Sequence, residues 1–441
     1  MHARRTFVLL GLAGLGLALL ANSAPADLLE YVKKPDDAFA WKLKGKTETP
    51  AGTVYDIDLT SQVWQGITWE HQVQVYLPKD VKPTATVYLW NQGGTSNPQR
   101  VAFGMDLATK MKAPVVFVFG IPKQPLYDNL KEDALIAETF KRYLATKDGS
   151  WPLLFPMAKS LVKAMDAIQA FAKQEWKHDV SHFIVAGASK RGWTTWLTAA
   201  SDPRVKAFVP LVIDTLKMVD QMDYQLKSYG AYSEQIADYT RAKLVPIPDT
   251  PEAKKLWTMV DPWFYRDRAK QPKLVMNGTN DPYWTQDALN LYWDDLQGDK
   301  WVLYVPNAGH NLQQKDKANP AGDLTRAINT QAAFGRHFIY DVPMPKVQWK
   351  HEGQNPKMRL AVETDTAPKA ARLWKATAPT RDFRQATWTE SPLKVDGKNV
   401  VAELETPAEG FVVFFAELEY EIDGLPYWLS TQLRIAGKAK P

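Results

Sequence analysis

An α/β fold with a mostly parallel sheet flanked by helices, an inserted helical lid and a C-terminal β-sandwich is predicted by three features of this 441-residue sequence. From residue 85 to residue 340, short apolar runs alternate with segments of helical period, which implies parallel strands joined by right-handed crossovers. Residues 215–268 interrupt that rhythm with far more chain than a crossover needs. After Pro343 the pattern changes to short strands separated by turns, as in a β-sandwich of the immunoglobulin or fibronectin kind. The chain therefore divides into a signal peptide over 1–26, an α/β domain over 27–345 with 215–268 as its lid, and a sandwich domain over 346–441.

The leader carries Arg4-Arg5, an apolar run from Phe7 to Leu20 that is short for a bilayer span, and small residues from Ala21 to Ala26. That is the layout of an export signal cleaved after Ser23 or Ala26, and the arginine pair resembles a twin-arginine signal. A periplasmic or secreted protein is expected, with no stable membrane insertion once the signal is removed. The chain has no cysteine, which excludes disulfides, thiolate metal sites and a lipid-modified N-terminal cysteine. A net charge of +5, part of it from the leader's arginines, is too small to imply nucleic-acid binding, and no basic run suggests it.

Alternation over Trp69–Leu77 predicts a half-exposed strand, whereas the uniformly apolar Ala85–Trp90 and Val115–Gly120 predict strands buried on both faces. Met157–Lys173 places Leu161, Met165, Ile168 and Phe171 on one helical stripe. Then come strand His182–Ala186, helix Trp193–Ala200, strands Lys206–Ile213 and Lys273–Asn277, a helix from Thr285 to Leu296, strand Trp301–Pro306 and helix Thr325–Tyr340. The sandwich strands are expected at Met358–Glu363, Ala371–Ala376, Ala386–Thr389, Val400–Glu405, Gly410–Glu419 and Tyr427–Ile435.

The stretch Phe183-Ile-Val-Ala-Gly-Ala-Ser189-Lys-Arg-Gly192-Trp carries a β-branched run into glycine and serine and then straight into helix-forming sequence. That is the outline of a nucleophile elbow, a turn that lifts a serine hydroxyl clear of the backbone. Gly187 and Gly192 supply the small neighbours, although the position two after the serine, usually glycine, is Arg191. Elimination among the seven histidines leaves His310 as the base, because it follows a strand at the carboxyl edge of the sheet. Asp281 follows the preceding strand and would orient the imidazole, with Asp214 as the rival acid. The order Ser189, Asp281, His310 is that of α/β-hydrolases.

An oxyanion hole would take the N–H of Lys190 and one from the turn Asn91-Gln-Gly-Gly94, through Gln92 or Gly93. Lys190 and Arg191 at a helix N-terminus oppose the helix dipole, so something must offset them: a substrate carboxylate at Arg191, solvent, or a neighbouring acid. Trp90, Trp263 and Trp284 are candidate stacking surfaces for substrate. No phosphate loop or clustered metal-ligand spacing is present, so neither cofactor nor metal is expected.

Through Gly187–Trp196, Asp261–Arg266, Asn277–Trp284 and Pro306–Asn311 the chain resembles the PhoPQ-activated pathogenicity-related family of the PqaA type over most of its mature length. The resemblance implies an exported α/β-hydrolase fold with a C-terminal β domain, linked in bacteria to virulence and envelope stress, and brings no particular substrate. The Ser189–Gly192 elbow is also similar to that of glucuronoyl esterases, with Ala188 and Trp193 where those carry cysteine and lysine. The expected function is a serine hydrolase acting on an ester or amide of a small molecule, glycan or peptide. Two alternatives stand beside it: a lid-gated exopeptidase using Glu234 or Asp238, and a secreted binding or signalling protein on a hydrolase scaffold.

Overall fold

A computed structural model describes residues 27–439, so the expected signal peptide lies outside the described residues. Helix α1 (Leu28–Lys33), capped by Asp27, leads into an antiparallel meander of β1 (Ala40–Thr49), β2 (Gly52–Trp64) and β3 (Ile67–Pro78). The core follows as β4 (Thr86–Asn91), α2 (Pro98–Met111), β5 (Val115–Val118), α3 (Glu132–Thr146), α4 (Leu154–Phe171), β6 (His182–Ala188), α5 (Lys190–Ser201) and β7 (Val205–Leu211). The 215–268 insert contributes α6 (Met218–Tyr229), α7 (Ala237–Arg241) and α8 (Pro251–Val260) before β8 (Lys273–Gly278), β9 (Lys300–Val305) and α9 (Thr325–Ile339).

Strand order is β1-β2-β3-β5-β4-β6-β7-β8-β9, antiparallel as far as the β3–β5 pair and parallel from β5 to β9. This is the α/β-hydrolase sheet, with the elbow strand β6 at its centre. Every residue of β4, β5 and β8 is buried, because helices cover both faces, and such strands read as continuous apolar runs. Alternate residues of β6 point to opposite cores: Phe183 and Val185 join Leu161, Met165 and Trp196, while Ile184 and Ala186 join Leu107, Met111 and Phe334. Among the described residues no helix is long and apolar enough to cross a membrane.

The remaining strands are β10 (Val347–Gln354), β11 (Lys357–Thr364), β12 (Ala370–Ala378), β13 (Thr389–Leu393), β14 (Val395–Asp396), β15 (Asn399–Glu405), β16 (Gly410–Ile422), β17 (Leu425–Ser430) and β18 (Arg434–Lys438). They form two antiparallel sheets. The smaller runs β10-β11-β15-β14; the other runs β17-β16-β12-β13, with β18 also on β16, and joins the central sheet where Ser430 pairs with Val302 of β9. The two sheets share one apolar core, in which Leu360 and Val362 of β11 meet Leu373 of β12 and Phe414 of β16. The other face of β16 packs on the hydrolase core, with the Phe415 ring 5.6 Å from those of Tyr304 and Trp388.

Three expected elements are corrected. Thr285–Leu296 is not one helix but two short 3₁₀ turns, Ala288–Leu291 and Trp293–Asp295. Its polar side chains are drawn into tertiary bonds that break helical register: Asp287 accepts from Tyr224 at 2.6 Å, and Asn290 donates to the Leu433 carbonyl at 2.8 Å. Tyr427–Ile435 is split between β17 and β18, and Ala386–Thr389 begins as a strand only at Thr389, since the Trp388 N–H goes to the Asn307 side chain. β1 and β10, charged and alternating weakly, carry no comparable signal in the sequence, whereas β2 alternates over Tyr55-Asp-Ile57-Asp-Leu59 as a half-buried strand does.

Candidate active site

Ser189 sits between β6 and α5 with φ 59° and ψ −130°, a backbone region that side-chain-bearing residues rarely occupy. The turn is held by the Ser189 N–H donating to the Leu211 carbonyl at 2.8 Å. A Cβ on Gly192 would lie 2.6 Å from Ile213 and 2.9 Å from the carbonyls of Gly187 and Leu211, and one on Gly187 would lie 2.7 Å from the Arg191 carbonyl. The close approach of helix to strand therefore falls three residues after the serine, which leaves position 191 free to carry a long side chain.

The loops after β8 and β9 meet beside this turn. His310 Nδ1 is 2.8 Å from Asp281 Oδ2, and the other oxygen of Asp281 accepts the Tyr283 N–H at 2.9 Å. A carboxylate cannot donate, so Nδ1 carries the proton of the neutral imidazole and Nε2 keeps its lone pair. Nε2 is buried and has no partner among the described residues, and His310 borders the same cavity as Ser189. The Tyr283 ring stacks on the imidazole at 4.1 Å between centroids, and burial, with Asp133 and Asp281 nearby, raises its hydroxyl to about 12. Asp214 takes no part in this contact. It is buried below the surface, where Tyr292 and Asn277 donate to it, and burial pushes its carboxyl up to about 7.

The two cations of the elbow are both claimed by α3. Lys190 Nζ lies 3.0 Å from Glu132 and 3.1 Å from Asp133. The Arg191 guanidinium grips Glu132 with two contacts, at 2.5 and 2.8 Å, and its Nε donates to the Ile121 carbonyl at 2.6 Å. Burial alone would raise the Glu132 carboxyl, but Arg191 and Lys190 hold it well below the ordinary carboxylate range. Two acids at the N-terminus of one helix thus offset two cations at the N-terminus of another. Arg191 does not border the Ser189 cavity; its carbonyl accepts from the Asn91 side chain at 3.0 Å and its guanidinium lies against Gly93, so it braces the 91–94 turn. A Cβ on Gly93 would lie 2.1 Å from that pinned guanidinium, so only glycine fits there.

Other expected site residues separate in the same way. Trp284 borders the cavity, whereas Trp90 and Trp263 do not. Trp90 packs among Phe103 and Phe117 and donates to its neighbour Gln92, and Trp263 donates to Asp295 under the Arg266 guanidinium. The Gln92 N–H is already given to the Val118 carbonyl at 2.9 Å, which removes it as an oxyanion donor. Glu234 and Asp238 do not border the cavity either; they pair with Arg384 and Arg241 at the surface. The acid that does border it is Asp133.

The insert roofs the cavity through Met218, Met222, Ile236, Tyr239, Val245 and Trp257, leaving about 30 Å³ open to the centre of a water molecule. Helix α6 and the turn after it are fastened to the loop after Asp281: Gln225 donates to the Tyr283 carbonyl at 2.9 Å, Tyr229 to that of Trp284 at 2.7 Å and, beyond the helix, Ser233 to that of Pro282 at 2.7 Å. On its other side His310 borders an open polar groove with Asn280, Asn307, Asn311 and Arg384. Glu132, Asp133, Tyr283, Thr215 and Trp257 are not among the site residues expected from the sequence. Of these only Tyr283, two residues after the acid, had a local signal.

The fold has distant counterparts among solved structures. An acetyl xylan esterase from Paenibacillus sp. R4 aligns at TM-score 0.44 and 14% identity over 64% of this chain and 85% of its own. An S-formylglutathione hydrolase from Agrobacterium tumefaciens aligns at TM-score 0.43 and 12% identity over 68% and 99%. In sequence, autocrine proliferation repressor protein A of Dictyostelium discoideum is 31% identical over 92% of this chain and 88% of its own length. The family described as PhoPQ-activated pathogenicity-related protein matches residues 28–384. On that match, which takes in the elbow, the lid and both loops that meet it, the chain belongs to the PhoPQ-activated pathogenicity-related protein family.

Proposed function

We propose that the protein is an exported serine hydrolase that cleaves an ester or amide through Ser189, His310 and Asp281. The observation that carries this reading is the 2.8 Å contact of His310 Nδ1 with Asp281, which leaves a partnerless Nε2 beside the strained serine. As the Ser189 oxygen bonds to the substrate carbonyl carbon, its proton passes to His310 Nε2 and the carbonyl electrons become an oxyanion. The Lys190 N–H, in the first turn of α5 where backbone donors lack helical partners, and the Gly93 N–H serve that oxyanion. Collapse of the intermediate expels the leaving oxygen or nitrogen, which takes the Nε2 proton. Water then repeats the sequence on the acyl-serine, with His310 accepting its proton and returning one to Ser189.

A fluorophosphonate probe tests this directly. It should label the wild-type protein at Ser189 and leave Ser189→Ala unlabelled. Absence of labelling, or labelling at another residue, would overturn the reading and favour a binding protein on this scaffold.

A further inference from the structure

The polar groups around the Ser189 cavity fall into two sets. One set is satisfied: the Trp193 indole donates to the Val260 carbonyl at 2.6 Å, Tyr239 donates to Asp133 at 3.1 Å, and Asp133 pairs with Lys190 at 3.1 Å. The other set, beside His310 Nε2, consists of the Thr215 hydroxyl and the indole N–H groups of Trp257 and Trp284. Each residue is more than nine-tenths buried, and each polar atom lacks a hydrogen-bond partner among the described residues. Trp69, Trp176, Trp196 and Trp388 also bury an unpaired indole N–H, but none of them borders this cavity. A buried donor without an acceptor is costly, so three such groups around one small space favour a ligand that brings acceptors.

Charge and size narrow the ligand further. Asp133 balances Lys190 on the wall, and Glu132 with Arg191 lies behind it, so the wall offers no net charge to a charged group. The cavity is roofed and small, whereas the groove on the other side of His310 is open. The leaving group must take its proton from His310 and depart, so the open side suits it and the closed side suits the acyl group.

We infer that the closed cavity receives a short, uncharged acyl group bearing a hydrogen-bond-accepting oxygen beyond its carbonyl, recognised by Trp257, Trp284 and Thr215. This rests on the hydrolase reading above. The indole N–H groups can only donate, which selects an ether, keto or similar oxygen over a methylene of the same size.

The test compares p-nitrophenyl 3-methoxypropionate with p-nitrophenyl pentanoate, acyl chains of equal length that differ by one oxygen, with each kcat/KM divided by the ester's hydroxide-catalysed rate. Wild-type protein should favour the ether ester by about tenfold, the worth of one good hydrogen bond. Trp257→Phe, Trp284→Phe and Thr215→Val should each lower that ratio, with melting curves confirming that each variant folds; the near-isosteric Thr215→Val decides if a tryptophan variant does not. Equal normalised rates in the wild type, or a ratio unmoved by every folded variant, would overturn the inference alone. Failure of both esters to show Ser189-dependent turnover would overturn the hydrolase reading and this inference with it.

Discussion

Strands β7 and β8 lie side by side and each delivers an aspartate to the same edge of the sheet, yet the two carboxyls live in different surroundings. Asp281 reaches His310 at 2.8 Å and takes a backbone N–H with its second oxygen. Asp214 is sealed beneath, given Tyr292 and Asn277 as donors, and its carboxyl is pushed up to about 7 by burial. Position after a sheet strand is therefore not enough to bring a carboxylate to His310; what separates the two is whether the following loop turns towards the histidine. The loop after β8 is held that way by α6 and the turn after it, which bind the carbonyls of Pro282, Tyr283 and Trp284.

The comparison has meaning only if Ser189 and His310 carry the chemistry, so the largest effects belong to them. Ser189→Ala and His310→Ala should each lower kcat by about 10⁴-fold or more, with melting temperatures close to wild type. Turnover near wild type in either variant would remove the ground for comparing the two acids.

The acids themselves come next. Asp281→Asn should lower kcat by about 10³- to 10⁴-fold, because an amide N–H can no longer fix the imidazole tautomer, while Asp214→Asn should stay within about tenfold. Reversal of that order would make Asp214 the orienting acid and would require a different loop conformation during turnover.

A third measurement sharpens the contrast through stability. Burial raises the Asp214 carboxyl from an ordinary 3.8 to about 7, and raises Asp261 likewise. Between those values the folded protein holds protons that the unfolded chain has released. Each group's contribution to stability is thus full below about pH 4 and declines as pH rises through about 7. Asp214→Asn removes one of the two declines, so the melting temperature of the variant relative to wild type should become more positive from about pH 4 to about pH 8. A difference independent of pH would place the Asp214 carboxyl in its ordinary range.

The smallest effect concerns the brace on the nucleophile side. Arg191→Gln should cost about 1–2 kcal/mol, between the worth of an exposed and a buried pair, since Glu132 is partly open to solvent. All substrates should slow alike as the 91–94 turn loosens. A selective rise in KM for acidic substrates at unchanged melting temperature would instead return Arg191 to substrate recognition.

Much of this arrangement is legible in the sequence because each piece is local. The elbow, the Asn277-Gly-Thr-Asn-Asp281 turn and the Pro306-Asn-Ala-Gly-His310 turn each follow a β-branched apolar run, and chain order supplies the rest. What escaped is set by partners distant in sequence. Glu132 stands 59 residues before Arg191, and nothing near either announces the pair. Trp90 and Trp263 have the composition of a substrate surface, but their neighbours, Phe103 and Phe117 for one and Arg266 for the other, decide otherwise. One clue lay unused: Phe411-Val-Val-Phe-Phe-Ala416 does not alternate, which is how a strand covered on both faces reads.

The junction of β17 with β9 has a bearing on how the chain reaches its native state. Until the final strands dock, β9 is an open sheet edge, with unpaired backbone groups and the Tyr304 ring beside it, and such edges pair readily with other chains. The partner for that edge, Ser430, lies far along the sequence from Val302, so the edge is closed by a non-local contact. A chain stopped after α9 would keep Ser189, Asp281 and His310 and still be exposed to self-association. For this molecule, then, the C-terminal strands are the cover over the last edge of the central sheet.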